Sequence, residues 1–292
     1  MRFFDSLRKD LPRQVLSFMW KKQEMQKNSP NGVTFGGACG NILSVKLCHY
    51  APRSGNVRKG TDMRYEIADL LVDMECSGRT KAQAEAYRVE PDGRQAHLRI
   101  NIDPQRALER LPQLETTDLA EYMATGDVFA AGLLAHSGVM LHASCISYRG
   151  QAVCFSAPPG VGKSTHTEKW VRLFGAKILN DDKPALRRRE EGWYAHGTPW
   201  SGKHDLSAKQ SAPLKAICFL FRGEETVLEP LAPERALPLF MSQTVFRLTQ
   251  ENMDRLLPLA DALLREVPVW KLTCSARDEA AYTVRDRLFP ER

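Results

Sequence analysis

The chain changes character near residue 62. Before that point, apolar side chains recur at helical spacing only within residues 3–27, and the SPNG and GGACGN turn clusters that follow interrupt any sustained period. The same stretch is rich in Lys and Arg. We therefore expect residues 1–62 to be a basic, poorly ordered extension.

Regular hydrophobic spacing begins at Met63 and predicts a small α+β region over residues 63–137. The segment MRYEIADLLVDMEC predicts a strand pair or one long strand, and the alternation in residues 97–102 is typical of a strand. Residues 118–134 place apolar side chains on one side of a helix, for which Thr117 is the predicted N-cap.

The remainder, residues 138–292, predicts an α/β domain. Two apolar, β-branched runs, VMLHASCISY and QAVCFSA, are separated by Arg149-Gly150, a dipeptide typical of a hairpin turn. A helix over residues 163–174 and a short strand over residues 176–180 follow. The other predicted elements are a hairpin formed by ALRRR and WYAH, strands at 215–221 and 267–274, and helices at 234–240, 251–266 and 277–288.

Composition places the chain among ordinary globular proteins. Of its 292 residues, 43% are hydrophobic and 26% are charged. No apolar run approaches the ~20 residues that span a bilayer, and the N-terminal stretch lacks the apolar core of a signal peptide. We expect a cytoplasmic protein without a membrane partner.

The net charge of +6 changes this picture little, because the excess of basic residues is concentrated in the N-terminal extension. No basic platform interleaved with aromatic residues occurs elsewhere, so nucleic acid is not an expected partner. The sequence does not determine the oligomeric state, and a homo-oligomer is one of the alternatives.

The seven cysteines are scattered and form no C-x-x-C pair, so the sequence indicates neither a zinc ribbon nor a redox dithiol. Cys145, Cys154 and Cys218 lie within apolar, strand-like runs. We expect them to be buried, reduced thiols that pack as small hydrophobic side chains.

One motif carries clear chemistry. The string Ala157-Pro158-Pro159-Gly160-Val161-Gly162-Lys163-Ser164 has Walker A spacing, except that Ala157 stands where the pattern has Gly. It follows an apolar strand and opens a helix, which is the order that a phosphate-binding P-loop requires. The alternative is a glycine-rich turn with a solvated lysine.

In a P-loop, Gly160 and Gly162 let successive backbone N–H groups point into one concavity that binds phosphate oxygens. Lys163 would reach the β- and γ-phosphates of ATP, and the Ser164 hydroxyl would ligate Mg²⁺. The predicted nucleotide-binding residues are Ala157, Pro158, Pro159, Gly160, Val161, Gly162, Lys163, Ser164 and Thr165.

Two adjacent carboxyl groups, Asp181 and Asp182, follow the next strand. The carboxyl ends of strands in an open α/β sheet face the ligand crevice, so the pair can divide two tasks. One carboxylate can help to hold Mg²⁺, and the other can accept the proton of an attacking hydroxyl. The alternative is a solvated Asp-Asp turn before Lys183-Pro184.

Two further features leave alternatives open. His142 lies between apolar runs, where a lone histidine is more often a core residue than a functional one. The loop GTPWSGK, residues 197–203, contains Trp200, which can stack on a base or substrate, and Lys203, which can touch phosphates. A structural loop packed by its tryptophan is an equal alternative.

Together, Leu141-His142-Ala143, the hairpin, GVGKS and the short strand ending in Asp-Asp resemble the catalytic domain of HPr kinase/phosphorylase and the bacterial HPr-kinase-like proteins. The resemblance covers roughly residues 135–290 and is strongest between His142 and Asp182. The sequence departs from that family at Thr165, where the family has Glu, and at GTPWSGK, which stands in the region of the family's glycine-rich signature.

The resemblance implies a mixed-sheet P-loop nucleotide-binding domain akin to the catalytic core of HPr kinase and phosphoenolpyruvate carboxykinase. It implies ATP and Mg²⁺ as cofactors and a serine hydroxyl on a protein or peptide as acceptor. By motif position, it implies Asp181 as the general base, Lys163 and His142 as further catalytic residues, and Ser164 and Asp182 near the metal.

The sequence therefore favours an ATP-dependent serine kinase. A small-molecule kinase on the same scaffold and a regulatory module that binds nucleotide without catalysis are the alternatives.

Overall fold

A computed structural model describes residues 63–245 and 249–291. The basic extension predicted for residues 1–62 lies outside the described residues. Within the described part of the chain, no helix combines the length and apolar character needed to cross a membrane.

The described elements are strands and helices in mixed order. The strands are β1 (Met63–Ile67), β2 (Leu70–Glu75), β3 (Arg88–Val89), β4 (Leu98–Asn101), β5 (Gly138–Leu141), β6 (Ala143–Tyr148), β7 (Gln151–Ser156), β8 (Lys177–Asn180), β9 (Ala185–Arg189), β10 (Gly192–His196), β11 (Ser211–Arg222), β12 (Val227–Pro230), β13 (Thr244–Val245) and β14 (Val269–Cys274). The helices are α1 (Gly78–Ala84), α2 (Pro104–Arg110), α3 (Thr117–Leu134), α4 (Lys163–Phe174), α5 (Pro233–Gln243), α6 (Gln250–Glu266) and α7 (Glu279–Leu288).

The first strands form a small sheet of order β3-β1-β2-β4. The predicted strand pair is confirmed: β1 and β2 are antiparallel and turn at Ala68-Asp69, both with positive φ (51° and 60°), as tight hairpin turns require. The predicted helix is confirmed as α3, but its N-cap is Thr116 rather than Thr117. The Thr116 hydroxyl accepts the Leu119 N–H at 3.2 Å, which places the cap one residue earlier.

The second sheet is mixed, as expected for this half of the chain. Its order is β13-β5-β9-β10-β11-β7-β6-β8, and β14 pairs with both β11 and β12. The long strand β11 joins the two parts of this sheet. Its first residues pair with β10, and the rest lies between the parallel strands β7 and β14.

Strand direction brings distant segments to one edge of this sheet. Because β6 is antiparallel to both β7 and β8, those two strands run in the same direction and end at the same edge. The start of β6 lies there too, and so do the ends of β11 and β14, which are parallel to β7. Several loops that were candidates for chemistry therefore begin at this edge.

Helices cover both faces of the sheet, so a layer of hydrophobic core lies on each face. Along β7, Cys154 packs on the side of α5 and α6, whereas Val153 and Phe155 pack on the side of α4 and α7. The predicted burial of Cys145, Cys154 and Cys218 is confirmed, and the described cysteines are free thiols. This packing fixes α4, and with it the loop that precedes α4, to the sheet.

Backbone crowding holds one further segment beside this edge. A Cβ at Gly197 would lie 1.9 Å from the carbonyl oxygen of Ala208 and 2.6 Å from that of Leu179. We expect Gly197→Ala to lower the free energy of unfolding by about 3 kcal/mol, as measured by urea denaturation. The reason is that the added methyl group would force the backbone at Ala208 or Leu179 to move.

The matched control is Gly93→Ala. A Cβ at Gly93 meets no atom within 4 Å, and its φ of 82° leaves only backbone strain, which costs about 1 kcal/mol. Equal losses in the two variants would contradict the crowding argument.

Candidate functional site

The loop between β7 and α4, here called the glycine-rich loop (residues 157–162), depends on two left-handed glycines. Gly160 has φ 77° and Gly162 has φ 119°. A Cβ at either position would meet no neighbouring atom, so backbone conformation rather than crowding requires glycine. Gly162 is also the N-cap of α4, and no side chain caps this helix. The first N–H groups of α4 therefore have no hydrogen bond from an N-cap side chain.

Lys163 lies beneath this loop and is buried. Its Nζ donates a hydrogen bond to the carbonyl oxygen of Ala157 at 2.7 Å, across the base of the loop. Burial lowers the pKa of Lys163 to about 8; nearby Asp182 opposes this shift, and Lys183 adds to it. The loop therefore encloses a lysine whose charge interacts with the Asp-Asp-Lys segment.

Arg222 is a contact of the glycine-rich loop that sequence reasoning missed. It ends β11, and its guanidinium donates to the carbonyl oxygen of Gly160. The available signal was weak: a single arginine at the end of an apolar strand. Only the pairing of β11 beside β7 shows that this arginine ends at the same sheet edge as the loop.

Asn180, the last residue of β8, was also missed. Its side chain is fully buried, and its Oδ1 accepts the backbone N–H groups of Asp182 at 2.8 Å and Lys183 at 2.6 Å. Its Nδ2 donates to the carbonyl oxygens of Thr198 at 2.9 Å and Trp200 at 3.4 Å. The signal was an Asn directly before Asp-Asp-Lys-Pro, because Asn readily forms such side-chain turns.

Asp181 and Asp182 lie in different environments although they are adjacent. Asp181 is buried, and its Oδ1 accepts the Gly202 N–H at 2.5 Å. Burial raises the pKa of the Asp181 carboxyl, the hydrogen bond from Gly202 lowers it, the charge of Asp182 raises it, and the net direction is upward.

Two basic residues, Lys183 and His142, contact Asp182 and favour its ionised form. Asp182 forms an ion pair with the Lys183 ammonium, and its Oδ1 lies 3.2 Å from His142 Nε2. Burial opposes ionisation of Asp182, but Lys183 and His142 outweigh it and hold its pKa below the ordinary value. His142 in turn contacts Gln243 Oε1 through Nδ1 at 3.0 Å. His142 therefore belongs to this cluster rather than to the apolar core.

Residues 197–205, here called the strap, run across this edge. Trp200 is 1% exposed, its ring is stacked on Phe129 with centroids 4.8 Å apart, and its Nε1 donates to Thr125 Oγ1 at 3.2 Å. The structural interpretation of this loop is confirmed, and stacking of Trp200 on a ligand is wrong because both the ring and its N–H are already used. Lys203 is exposed.

The structure thus brings four predicted residues, His142, Lys163, Asp181 and Asp182, into one neighbourhood. In the glycine-rich loop and the first turn of α4, Ala157 is buried, Val161, Gly162 and Ser164 are half-buried, and Pro158, Pro159, Gly160 and Thr165 are exposed. Within residues 63–245 and 249–291, no group of three or more His, Cys, Asp or Glu side chains is arranged to hold a metal ion.

A family model described as SynChlorMet cassette protein ScmC matches residues 127–280, more than half of the chain. The chain belongs to the ScmC family. The matched region of this ScmC-family chain contains every residue of the cluster just described, together with the glycine-rich loop and the strap. No curated protein matches the chain.

Among solved structures, this ScmC-family chain is similar to the Hpr(Ser) kinase/phosphatase from Coxiella burnetii. The two share 11% sequence identity with a TM-score of 0.32, over 51% of this chain and 95% of that one. A similarity this low determines neither fold nor function.

The buried position of Trp200 in this ScmC-family chain gives a test of the strap's packing. We expect Trp200→Ala to lower the free energy of unfolding by about 3–5 kcal/mol, measured by urea denaturation followed by circular dichroism, because it removes a fully buried ring. Trp270→Ala is the control and should cost less, since Trp270 is only half-buried. A loss at Trp200 no larger than at Trp270 would count against this packing.

Proposed function

We propose that this chain transfers a phosphoryl group from ATP to a hydroxyl, that of a serine in a protein or peptide. One observation carries the proposal. A buried lysine, a glycine-rich loop at a helix N-terminus and two carboxyl groups with opposite pKa shifts meet at one edge of a mixed sheet. Pairs of acids whose environments shift their pKa values in opposite directions are typical of sites that move protons.

The nucleotide end of the proposed site is the glycine-rich loop acting as a P-loop. Backbone N–H groups of the loop and of the first turn of α4 would bind phosphate oxygens, assisted by the helix dipole. Lys163 would place its ammonium on the transferring phosphoryl group, where charge develops during transfer. Residues 157–165 would then form the nucleotide-binding segment of a catalytic domain spanning residues 138–292, beside the small α+β region at 63–137.

The acceptor end of the proposed site is Asp181. Its raised pKa suits a group that must accept the proton of the serine hydroxyl, since a carboxylate of ordinary acidity is a weaker base. Asp182 stays ionised next to it, and His142 and Lys183 fix its orientation. Adjacent residues thus divide the roles of base and of fixed negative charge.

The donor set fits Mg²⁺, which prefers oxygen ligands and keeps several waters. The Ser164 hydroxyl and the Asp182 carboxylate would hold it, and the ion would neutralise charge on the phosphates of ATP when bound. The serine acceptor comes from the resemblance of the motifs to HPr-kinase-like proteins, and an ATP-dependent reaction accords with the cytoplasmic location expected from the sequence.

The first prediction concerns transfer itself. With Mg²⁺ and γ-labelled ATP, we expect the protein to label a serine of a protein or peptide acceptor. Lys163→Ala should reduce the rate by about 10²–10³-fold, because a charge that stabilises the transition state is lost. Asp181→Asn should reduce it by about 10²–10⁴-fold, because the amide cannot accept the proton.

Matched controls exist on the same chain. Lys177 is exposed at the start of β8, and Asp261 is exposed on α6, so Lys177→Ala and Asp261→Asn should retain wild-type rates. Label that moves only to a small molecule would replace the protein-kinase proposal with the small-molecule kinase. Rates that are equal in Asp181→Asn and the wild type would remove Asp181 from the mechanism.

The second prediction concerns binding. Addition of ATP and Mg²⁺ at about 100 times the dissociation constant should stabilise the fold by about 2.7 kcal/mol, seen as a rise in the thermal unfolding midpoint. Lys163→Ala should abolish most of this rise, and chelation of Mg²⁺ should reduce it.

Stabilisation by ATP through Lys163 without hydrolysis or transfer to any acceptor would favour the non-catalytic nucleotide-binding module. Absence of stabilisation in the wild type would contradict both the kinase and the non-catalytic nucleotide-binding module.

A further inference from the structure

Side chains from the small α+β region also hold the strap. The Tyr122 hydroxyl on α3 is buried; it donates to the carbonyl oxygen of Ser201 at 2.7 Å and lies 3.0 Å from Gln83 Oε1. The Ser201 hydroxyl donates to the same Gln83 oxygen at 2.8 Å. Two residues that lie far from the strap in sequence thus fix its Ser201.

Arg79, on α1, extends the same set of contacts by one residue. Its Nη2 donates to the carbonyl oxygen of Gly202 at 2.9 Å and forms an ion pair with Asp205 at 2.6 Å. Its guanidinium also lies over the Tyr122 ring, 4.5 Å from the centroid. The Gln83 amide contacts Asp205 as well. The strap is therefore bonded to α1 and α3 at three successive places, Ser201, Gly202 and Asp205.

Gly202 connects these contacts to the proposed base. Its carbonyl oxygen accepts from Arg79, and its N–H donates to Asp181 Oδ1 at 2.5 Å. A Cβ at Gly202 would lie 3.1 Å from Asp181 Oδ2, a distance at which the carboxyl group would have to move by a few tenths of an ångström. Glycine is thus the residue that lets the strap approach this carboxyl so closely.

We propose that Tyr122, Gln83 and Arg79 are positioning residues, which hold the strap so that the Gly202 N–H fixes the Asp181 carboxyl group in the orientation used with the acceptor. The inference rests on the proposed function, since it assigns the orientation a catalytic purpose. It gives the small α+β region at residues 63–137 a part in the site, although the contacts described above join it to the strap rather than to the glycine-rich loop.

The test uses the full chain and two variants, one at the contacts of the strap with α3 and one at its contact with Asp181. Tyr122→Phe removes one hydroxyl and keeps the ring beneath Arg79, and Gly202→Ala adds one methyl group against Asp181. Tyr148→Phe is the control, because Tyr148 packs on Trp170 and Phe289, behind α4. Each variant is measured for backbone hydrogen exchange, for kcat and for the KM of ATP.

We expect Tyr122→Phe to increase hydrogen exchange in residues 197–205 by about fivefold and to leave exchange in residues 157–165 unchanged, because the strap loses a hydrogen bond and the glycine-rich loop loses none. The kcat of transfer should fall by about tenfold, the equivalent of one hydrogen bond, with the KM of ATP unchanged. Gly202→Ala should lower kcat by at least as much. Tyr148→Phe should match the wild type in all three measurements.

Three outcomes overturn the proposal. Unchanged exchange in Tyr122→Phe means that Tyr122 does not hold the strap. Increased exchange with wild-type kcat means that the contacts are structural and do not position Asp181. A fall in kcat accompanied by a higher KM for ATP, or by increased exchange in residues 157–165, also overturns it. The effect is then not confined to the strap and Asp181.

Failure of the proposed function gives a different pattern. If the wild type transfers no phosphoryl group to any acceptor, the catalytic purpose is rejected, and exchange alone decides the structural link. Increased exchange of residues 197–205 in both Tyr122→Phe and Asp181→Ala then supports the link between α3, the strap and Asp181. If exchange matches the wild type in both variants, the structural link is overturned.

Discussion

The site depends on one buried amide, the side chain of Asn180. Its oxygen accepts two backbone N–H groups of the Asp-Asp-Lys turn, and its nitrogen donates to two carbonyls of the strap. A carboxylate would lack the donors, and a hydroxyl would be too short to do both. Because an unsatisfied buried polar group costs about 1–3 kcal/mol, the turn and the strap stabilise each other through this side chain.

Strand direction provides the second constraint. The reversal at β6 lets β7 and β8 end together, so that the glycine-rich loop and a pair of acids lie side by side although about twenty residues separate them. The same geometry puts His142, at the start of β6, between them. A sheet with other strand directions would place the same sequence motifs at opposite edges.

Much of this arrangement was predictable from sequence because its signals are local. Walker A spacing, strand alternation and the Arg149-Gly150 turn need only neighbouring residues, and so does the position of Asp181-Asp182 at a strand end. Gln83, Tyr122 and Arg222 were not predictable, because their partners lie more than sixty residues away in sequence. The role of Trp200 was ambiguous for the same reason, since Phe129 decides it.

The bond between Lys163 and the Ala157 carbonyl has a consequence for selectivity. An anion that binds to the loop must compete with an internal acceptor for the lysine, and the contact of Arg222 with Gly160 adds a second internal bond at the same loop. A singly charged anion offers little beyond what the carbonyl already provides. A polyphosphate can exchange several such bonds at once. If the loop binds phosphate as proposed, it would therefore discriminate by charge density before any other part of the ligand is recognised.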